Sequence, residues 1–277
     1  KSGVTKRHIA MSNETALDLA LEACKKINLN NKFSLDSVDA IIFCTQTPDY
    51  IMPPNSCILQ KELGLSDNII AFDYNLACSG YVYGLAIVNG LLASGLAHNC
   101  LLVTGDTYSK YINKRDRSAR VLFGDGATVS WISDKSFGKS LKLVDVLCAT
   151  NGAGYDKFII PAGACRISRS AETAAEQMDS SGNWRTQEQI YMDGMGILEF
   201  VVGRIPVQIK NILAKNHMAI ENVDFFVFHQ ASKLILDTLT KLLRVDSQKI
   251  FNNIASIGNT VSSSIPIALS QAKEDNV

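Results

Sequence analysis

Three residues of types that do nucleophilic and polar chemistry stand at informative places: Cys78, His229 and Asn259. Cys78 lies in Ala77-Cys78-Ser79-Gly80, between a strand-like run over 69–73 and a long uncharged run reaching Gly95. A cysteine at the point where a strand turns into a helix faces the helix's first, unpaired N–H groups, whose partial positive charge favours thiolate over thiol. Such a place can lower a thiol from about 8.5 to roughly 3.5 to 7.5, making it a nucleophile. The competing expectation is a small buried hydrophobe, because free cysteine is among the most buried residue types. His229 closes the very apolar run 223–228, and open α/β sheets place their ligand sites at the carboxyl ends of strands. Asn259 sits in the turn Ile257-Gly258-Asn259-Thr260, just before a final helical stretch.

A weak internal repeat offers a way to bring the three together. The run 38–43, Val-Asp-Ala-Ile-Ile-Phe, resembles 223–228, Val-Asp-Phe-Phe-Val-Phe. Each follows an amphipathic helical pattern and each is soon followed by a glutamine, Gln46 or Gln230. The intervals from Gln46 to Cys78 and from Gln230 to Asn259 are of similar length, and each contains helix, strand, turn and helix start. If two such halves pack about a pseudo-twofold axis, the Cys78 and Asn259 turns become symmetry mates, and His229 converges on the same crevice.

The elements that must do the positioning follow from periodicity and punctuation. Helices are expected over 12–27, 55–63, 78–94, 193–215, 234–243 and 266–273, with Pro206 predicting a kink or a break. Strands are expected over 38–44, 69–73, 99–104, 127–131, 141–147, 223–228 and, briefly, 250–251. Alternating strands and helices make an α/β protein. The stretch 151–189 has no clear period and reads as an irregular excursion covering a pocket. The charge cluster over 110–120 is either a solvated loop or, with three arginines, a phosphate-holding one.

Composition narrows the classes. With 277 residues, 47% apolar and 19% charged, the chain has globular usage and room for one large or two ordinary domains. Basic and acidic residues number 27 each, so no overall field draws in nucleic acid or an anionic membrane. Seven cysteines at irregular spacing, without a C-x-x-C pair, suit reduced thiols and a cytoplasmic protein. Four histidines, none at ligand spacing from a cysteine pair, argue against a zinc site, and no metal is expected. No secretory signal opens the chain. The stretch 74–105 carries no Asp, Glu, Lys or Arg and is long enough to span a bilayer, but Asn75, Asn89, His98 and Asn99 interrupt it, so it reads as a buried helix plus a strand with no membrane span.

Six motifs, in this order, resemble the thiolase superfamily and most closely the β-ketoacyl-acyl carrier protein synthase III enzymes. They are Thr47-Pro48-Asp49-Tyr50, Ala77-Cys78-Ser79-Gly80, Asp116-Arg117-Ser118, Phe123-Gly124-Asp125-Gly126-Ala127, His229-Gln230-Ala231, and Gly258-Asn259-Thr260 with Ser264-Ile265-Pro266. The resemblance implies a thiolase-like fold of two duplicated halves, 1–145 and 146–277, in a five-layered α/β/α/β/α arrangement, usually as a homodimer. It implies that acyl-CoA acylates Cys78, and that malonyl-acyl carrier protein then undergoes decarboxylative condensation with His229 and Asn259 as hydrogen-bond donors, in fatty acid or related specialised biosynthesis. No cofactor is implied beyond these two substrates. By the same resemblance Arg117 lies near the CoA tunnel, Phe123 near the acyl pocket, and Met52 where a loop is presented to the partner subunit's acyl pocket. A supple methionine there leads us to expect a primer longer than acetyl.

The chain departs from the pattern in three ways. Ser232 stands where the family usually has asparagine, and Leu234 where an arginine often docks the carrier, with Lys233 as a substitute charge. Both ends read as truncated relative to the family, whose last glycine-rich strands normally supply a backbone N–H beside the cysteine. Gln46 stands where a hydroxymethylglutaryl-CoA synthase would use glutamate, and no cysteine follows Cys165 where a thiolase proper would have one. A non-condensing acyl-CoA-dependent acyltransferase keeps the same three residues, and a papain-like cysteine hydrolase also runs Cys, His, Asn.

Overall fold

In the computed structural model, which describes residues 2–29, 34–136 and 140–275, the apolar runs of the first half form one four-stranded sheet. Its strands are β1 (Ala40–Cys44), β2 (Ile70–Tyr74), β3 (Asn99–Asp106) and β4 (Gly126–Ser133), in the order β2-β1-β3-β4. The β1 strand runs parallel to both neighbours, and β4 is antiparallel to β3. All of β1, and β3 beyond Asn99, is buried, which is why these strands read as continuous apolar runs rather than alternations.

Helices cover both faces. In chain order the helices are α1 (Ala16–Leu29), α2 (Asn55–Glu62), α3 (Gly80–Ala93), α4 (Arg117–Arg120), α5 (Gly194–Lys215), α6 (Lys233–Leu243), α7 (Ile254–Ile257) and α8 (Ser264–Glu274), of which α1, α2, α3 and α8 pack on the sheet. The two-residue period of a strand sends Ile41, Phe43, Leu101 and Val103 to one face, against Leu17, Ala20 and Cys24 of α1 and Leu59 of α2. Ala40, Ile42, Cys100 and Leu102 point to the other, against Tyr81 and Val88 of α3 and Ile265 and Leu269 of α8. Thus α3 and α8, from opposite halves of the chain, share one face of the sheet. The uncharged stretch 74–105 becomes α3 and β3, and among the described residues no helix is long and apolar enough to cross a membrane.

Glycine lets α3 lie this close. A Cβ on Gly80 would collide with Cys44 Sγ, and one on Gly84 with Leu102 Cδ1 and the Tyr74 hydroxyl. That hydroxyl instead donates to Gly80 O at 2.7 Å.

Three expectations are corrected. The stretch 141–147 forms no strand, and 223–228 is paired only through the bridge between Phe226 and Ile250, with Phe226 N–H donating to Lys249 O and Phe251 N–H to Phe226 O. An apolar run becomes a strand only where a partner supplies a continuous ladder of hydrogen bonds; here side chains take part of that role, with Lys249 Nζ donating to Val223 O and Gln230 Nε2 to Phe228 O. Of the kink or break expected at Pro206, the break does not occur: α5 continues through Pro206 and packs against α6, where the bonds on either side outweigh the one that proline removes.

The third correction concerns the repeat. Ala77 has φ 46°, opens a 3₁₀ turn over Ala77–Ser79, and is followed by Gly80 at the start of α3. In the second half Val261 has φ 55°, opens a 3₁₀ turn over Val261–Ser263, and is followed by Ser264 at the start of α8. Ser262, not Asn259, therefore occupies the place of Cys78; Asn259 lies just upstream of the matching turn.

The excursion after β4 carries short strands β5 (Phe158–Ile159), β6 (Gln177–Met178), β7 (Trp184–Arg185) and β8 (Tyr191–Met192), paired β5 with β8 and β6 with β7. Arg185 anchors it by bonding both Asp116 and Asp179, and Arg115 pairs with Glu176 while stacking over Trp184.

Candidate active site

Cys78 sits at the carboxyl end of β2, in the 3₁₀ turn that feeds α3. It packs against a cluster of Tyr108, Ile112, Ala119, Phe123, Ile190 and Val261, so both halves and the excursion meet at its side chain. Burial, with the Asp106 carboxylate adding to it, pushes the Cys78 thiol up to about 12, while a backbone hydrogen bond pulls the other way. The expected thiolate is thus corrected. Desolvation and a neighbouring acid outweigh the helix start, and the unliganded residue is a thiol.

His229 and Asn259 approach from the second half. His229 Nδ1 is 2.5 Å from Ser264 Oγ, and that oxygen also accepts from Gln230 N–H at 3.2 Å. With Gln230 N–H feeding the serine oxygen, the serine proton is free to point at Nδ1, an arrangement that puts the imidazole proton on Nε2. Burial pushes His229 down to about 4, so the ring is neutral near neutrality. Its Nε2 is buried with no hydrogen-bond partner among the described residues. Asn259 Oδ1 accepts from Val261 N–H at 2.9 Å, which fixes the amide so that Nδ2 is the outward donor, at 3.4 Å from Ala231 O. The backbone of Asn259 is stitched to the first half: its N–H donates to Leu122 O and its C=O accepts from Gly124 N–H, both at 2.9 Å. Asn259 and Phe123 thereby form a parallel bridge.

The other expected residues divide. Phe123 is buried beside Cys78, stacks with Phe158 and meets Tyr108 at a tilt. Arg117 opens α4 with its N–H on Asn183 Oδ1 and is exposed. Met52 lies in an exposed loop with Tyr50 and Ile51 that are 79%, 60% and 95% accessible respectively.

A buried polar group beneath the cysteine turn is absent from the sequence reading. Asp106, fully buried at the end of β3, accepts from Gln46 N–H at 2.7 Å and from Ser262 Oγ at 2.6 Å. Gln46 in turn bonds Asn75 and receives the Tyr108 hydroxyl. Burial pushes the Asp106 carboxyl up to about 7 against those hydrogen bonds. The available signal was that Asp106 is the first charge after the stretch 74–105, at the carboxyl end of a parallel strand.

The family models and the relatives by sequence agree on one family. The family model for 3-oxoacyl-[acyl-carrier-protein] synthase III matches residues 72–152, and the model for its C-terminal part matches 213–277. The chain is 33% identical to the β-ketoacyl-[acyl-carrier-protein] synthase III of Chlamydia caviae over 98% of its own length and 78% of the relative's. It is 34% identical to that of Clostridium perfringens, covering 98% and 80%. A crystal structure of a 3-oxoacyl-(acyl-carrier-protein) synthase III superposes with a TM-score of 0.96 at 40% identity, over 100% of this chain and 82% of that one. The synthase III from Thermus thermophilus superposes at 0.85 with 28% identity, over 99% and 80%.

Proposed function

Because this chain belongs to the 3-oxoacyl-[acyl-carrier-protein] synthase III family and has its thiolase-like fold, we propose that Cys78, His229 and Asn259 are the residues with which it carries out the family's condensation. The chain is a condensing enzyme of fatty acid biosynthesis. What supports the residue assignment is a pair of polar groups on the segments that pack around the Cys78 turn: a neutral histidine whose buried Nε2 has no partner among the described residues, and an asparagine whose amide is oriented by the N–H of Val261, a residue packed with Cys78.

In the first half-reaction Cys78 sulfur attacks the thioester carbonyl of acyl-CoA; the bond to the CoA sulfur breaks, and the thiol's proton ends on the departing CoA. A malonyl thioester on acyl carrier protein follows. Its carboxylate leaves as carbon dioxide, and the electron pair forms an enolate whose oxygen receives hydrogen bonds from His229 Nε2–H and Asn259 Nδ2–H. The enolate carbon attacks the acyl-Cys78 carbonyl and expels the Cys78 sulfur, which regains a proton. Decarboxylation itself supplies the carbanion, so a neutral histidine suits the step. A donor of this kind is worth about 3 to 4 kcal/mol in a water-excluded site.

Within this reading Phe123 lines the acyl pocket, Arg117 lies by the CoA entrance, and the enzyme works as a cytoplasmic homodimer in which the exposed Tyr50–Ile51–Met52 loop reaches the second subunit. A flexible methionine there suits a primer longer than acetyl. The test is intact-protein mass after incubation with a panel of acyl-CoAs, then with malonyl-acyl carrier protein, for wild type and Cys78→Ala. We expect an adduct that requires Cys78, forms with primers beyond acetyl, and disappears with β-ketoacyl product. An adduct that malonyl-acyl carrier protein leaves in place would identify a non-condensing acyltransferase, and no adduct would refute Cys78 as nucleophile.

A further inference from the structure

Resting on the reading of Cys78, His229 and Asn259 as the condensing centre, we propose that Ser262 and Asp106 form a buried clamp whose task is to position Asn259 against the Cys78 turn for the enolate-forming step. The second half repeats the cysteine's turn with a serine in the cysteine's place, and that serine has found a different use. Its hydroxyl donates to Asp106 Oδ2 at 2.6 Å, while Asp106 Oδ1 accepts from Gln46 N–H at 2.7 Å, at the end of β1. Both residues are almost wholly buried, at 0% and 1% accessible, so water cannot substitute for either bond.

The clamp acts on Asn259 through Val261. A β-branched residue at φ 55° persists only where surrounding bonds over-determine it. Val261 N–H is the donor that orients the Asn259 amide, and Ser262 is the next residue along. The Asn259 segment is thus held by its own backbone bonds to Leu122 and Gly124 and, downstream, by Ser262 on Asp106. Releasing the latter lets the strained residue relax and the amide lose its aim. The neighbouring Ser263 braces the same turn from Thr104 Oγ1 and Gly126 O.

The titratable groups around Asp106 are Cys44 at the end of β1, Cys78 above it, Tyr108 after β3, and Asp125 before β4. Gln46 and Ser262 are its hydrogen-bond donors, and no salt bridge reaches it among the described residues. Its ionised form therefore also opposes a thiolate on Cys78. Position and charge can be separated by substitution. Ser262→Ala removes the hydroxyl's bond to Asp106 and leaves the Ser262 backbone bond and the charge. Asp106→Asn keeps an acceptor for Gln46 N–H, offers an amide to Ser262 Oγ, and removes the charge.

The experiment measures the two half-reactions apart on the full chain: Cys78 acylation by acyl-CoA, and decarboxylation of malonyl-acyl carrier protein. For Ser262→Ala we expect the decarboxylation kcat to fall about tenfold or more while the acylation rate stays within about twofold, as loss of a charge-assisted bond acting in one step requires. Equal losses in both half-reactions, or decarboxylation within about twofold of wild type, would overturn the clamp. Should Ser262→Ala fail to fold, Ser262→Cys decides: its weaker donor should slow decarboxylation about threefold or more while acylation stays within about twofold, and unchanged or parallel rates would overturn the proposal; Asp106→Asn, which keeps the contacts and removes the charge, should instead speed alkylation of Cys78 by iodoacetamide at pH 7. A wild-type protein that does not consume malonyl-acyl carrier protein would sink the condensing function itself, which separates the two failures.

Discussion

A cysteine at a helix start is a nucleophile only if the local field wins over burial. At Cys78 burial and Asp106 together outweigh the helix start, and the thiol is pushed up to about 12. Because a raised thiol pKa means less thiolate at a given pH, iodoacetamide should alkylate Cys78 slowly at pH 7 and about tenfold faster for each unit of pH up to 9. A rate already level at pH 7, followed by peptide mass mapping, would contradict this placement of the charge. His229 follows the opposite rule for a base. Burial pushes it down to about 4, so it is neutral across the same window and serves as a donor without a protonation step.

The helix α3 shows how an element sets a residue's position. It opens immediately after Cys78 and is pressed onto β1, β2 and β3 by the absence of side chains at Gly80 and Gly84. Gly84→Ala places a methyl against Leu102 Cδ1 and the Tyr74 hydroxyl, both part of the packed sheet face, and such overpacking costs about 1 to 3 kcal/mol. Thermal unfolding should show a midpoint lower by several degrees, and an unchanged midpoint would mean that α3 can lift off the sheet at no cost.

At the scale of the molecule the proposed reaction centre is a seam. Cys78 and Asp106 come from the first half, His229, Asn259 and Ser262 from the second, and Phe158, Ile190 and Met192 from the excursion. Pairing of β-type backbone bonds across Leu122, Gly124 and Asn259 closes it. On the outer surface the Tyr50–Ile51–Met52 loop exposes apolar side chains that the proposed homodimer would cover. Light scattering on Ile51→Glu should then report a smaller species than wild type, and equal masses for the two would remove this loop from the interface.

Much of this was legible in the sequence because it is local or periodic. The uncharged runs marked β1 and β3, the strand-to-helix turn marked Cys78, and the motif order pointed to the family that the comparisons then showed. What depends on partners far along the chain was not. The run 223–228 looks as strand-like as 38–44, yet only the latter finds neighbours on both sides. The repeat was visible, but its register was not, because a positive φ at Ala77 and Val261 leaves no mark on residue type; only backbone geometry pairs Cys78 with Ser262. The sequence by itself determined which reactive groups the protein carries and the order of the elements that bear them. Tertiary structure alone decided their charge states and aim, since desolvation and hydrogen bonds between distant residues exist only once the two halves have packed together.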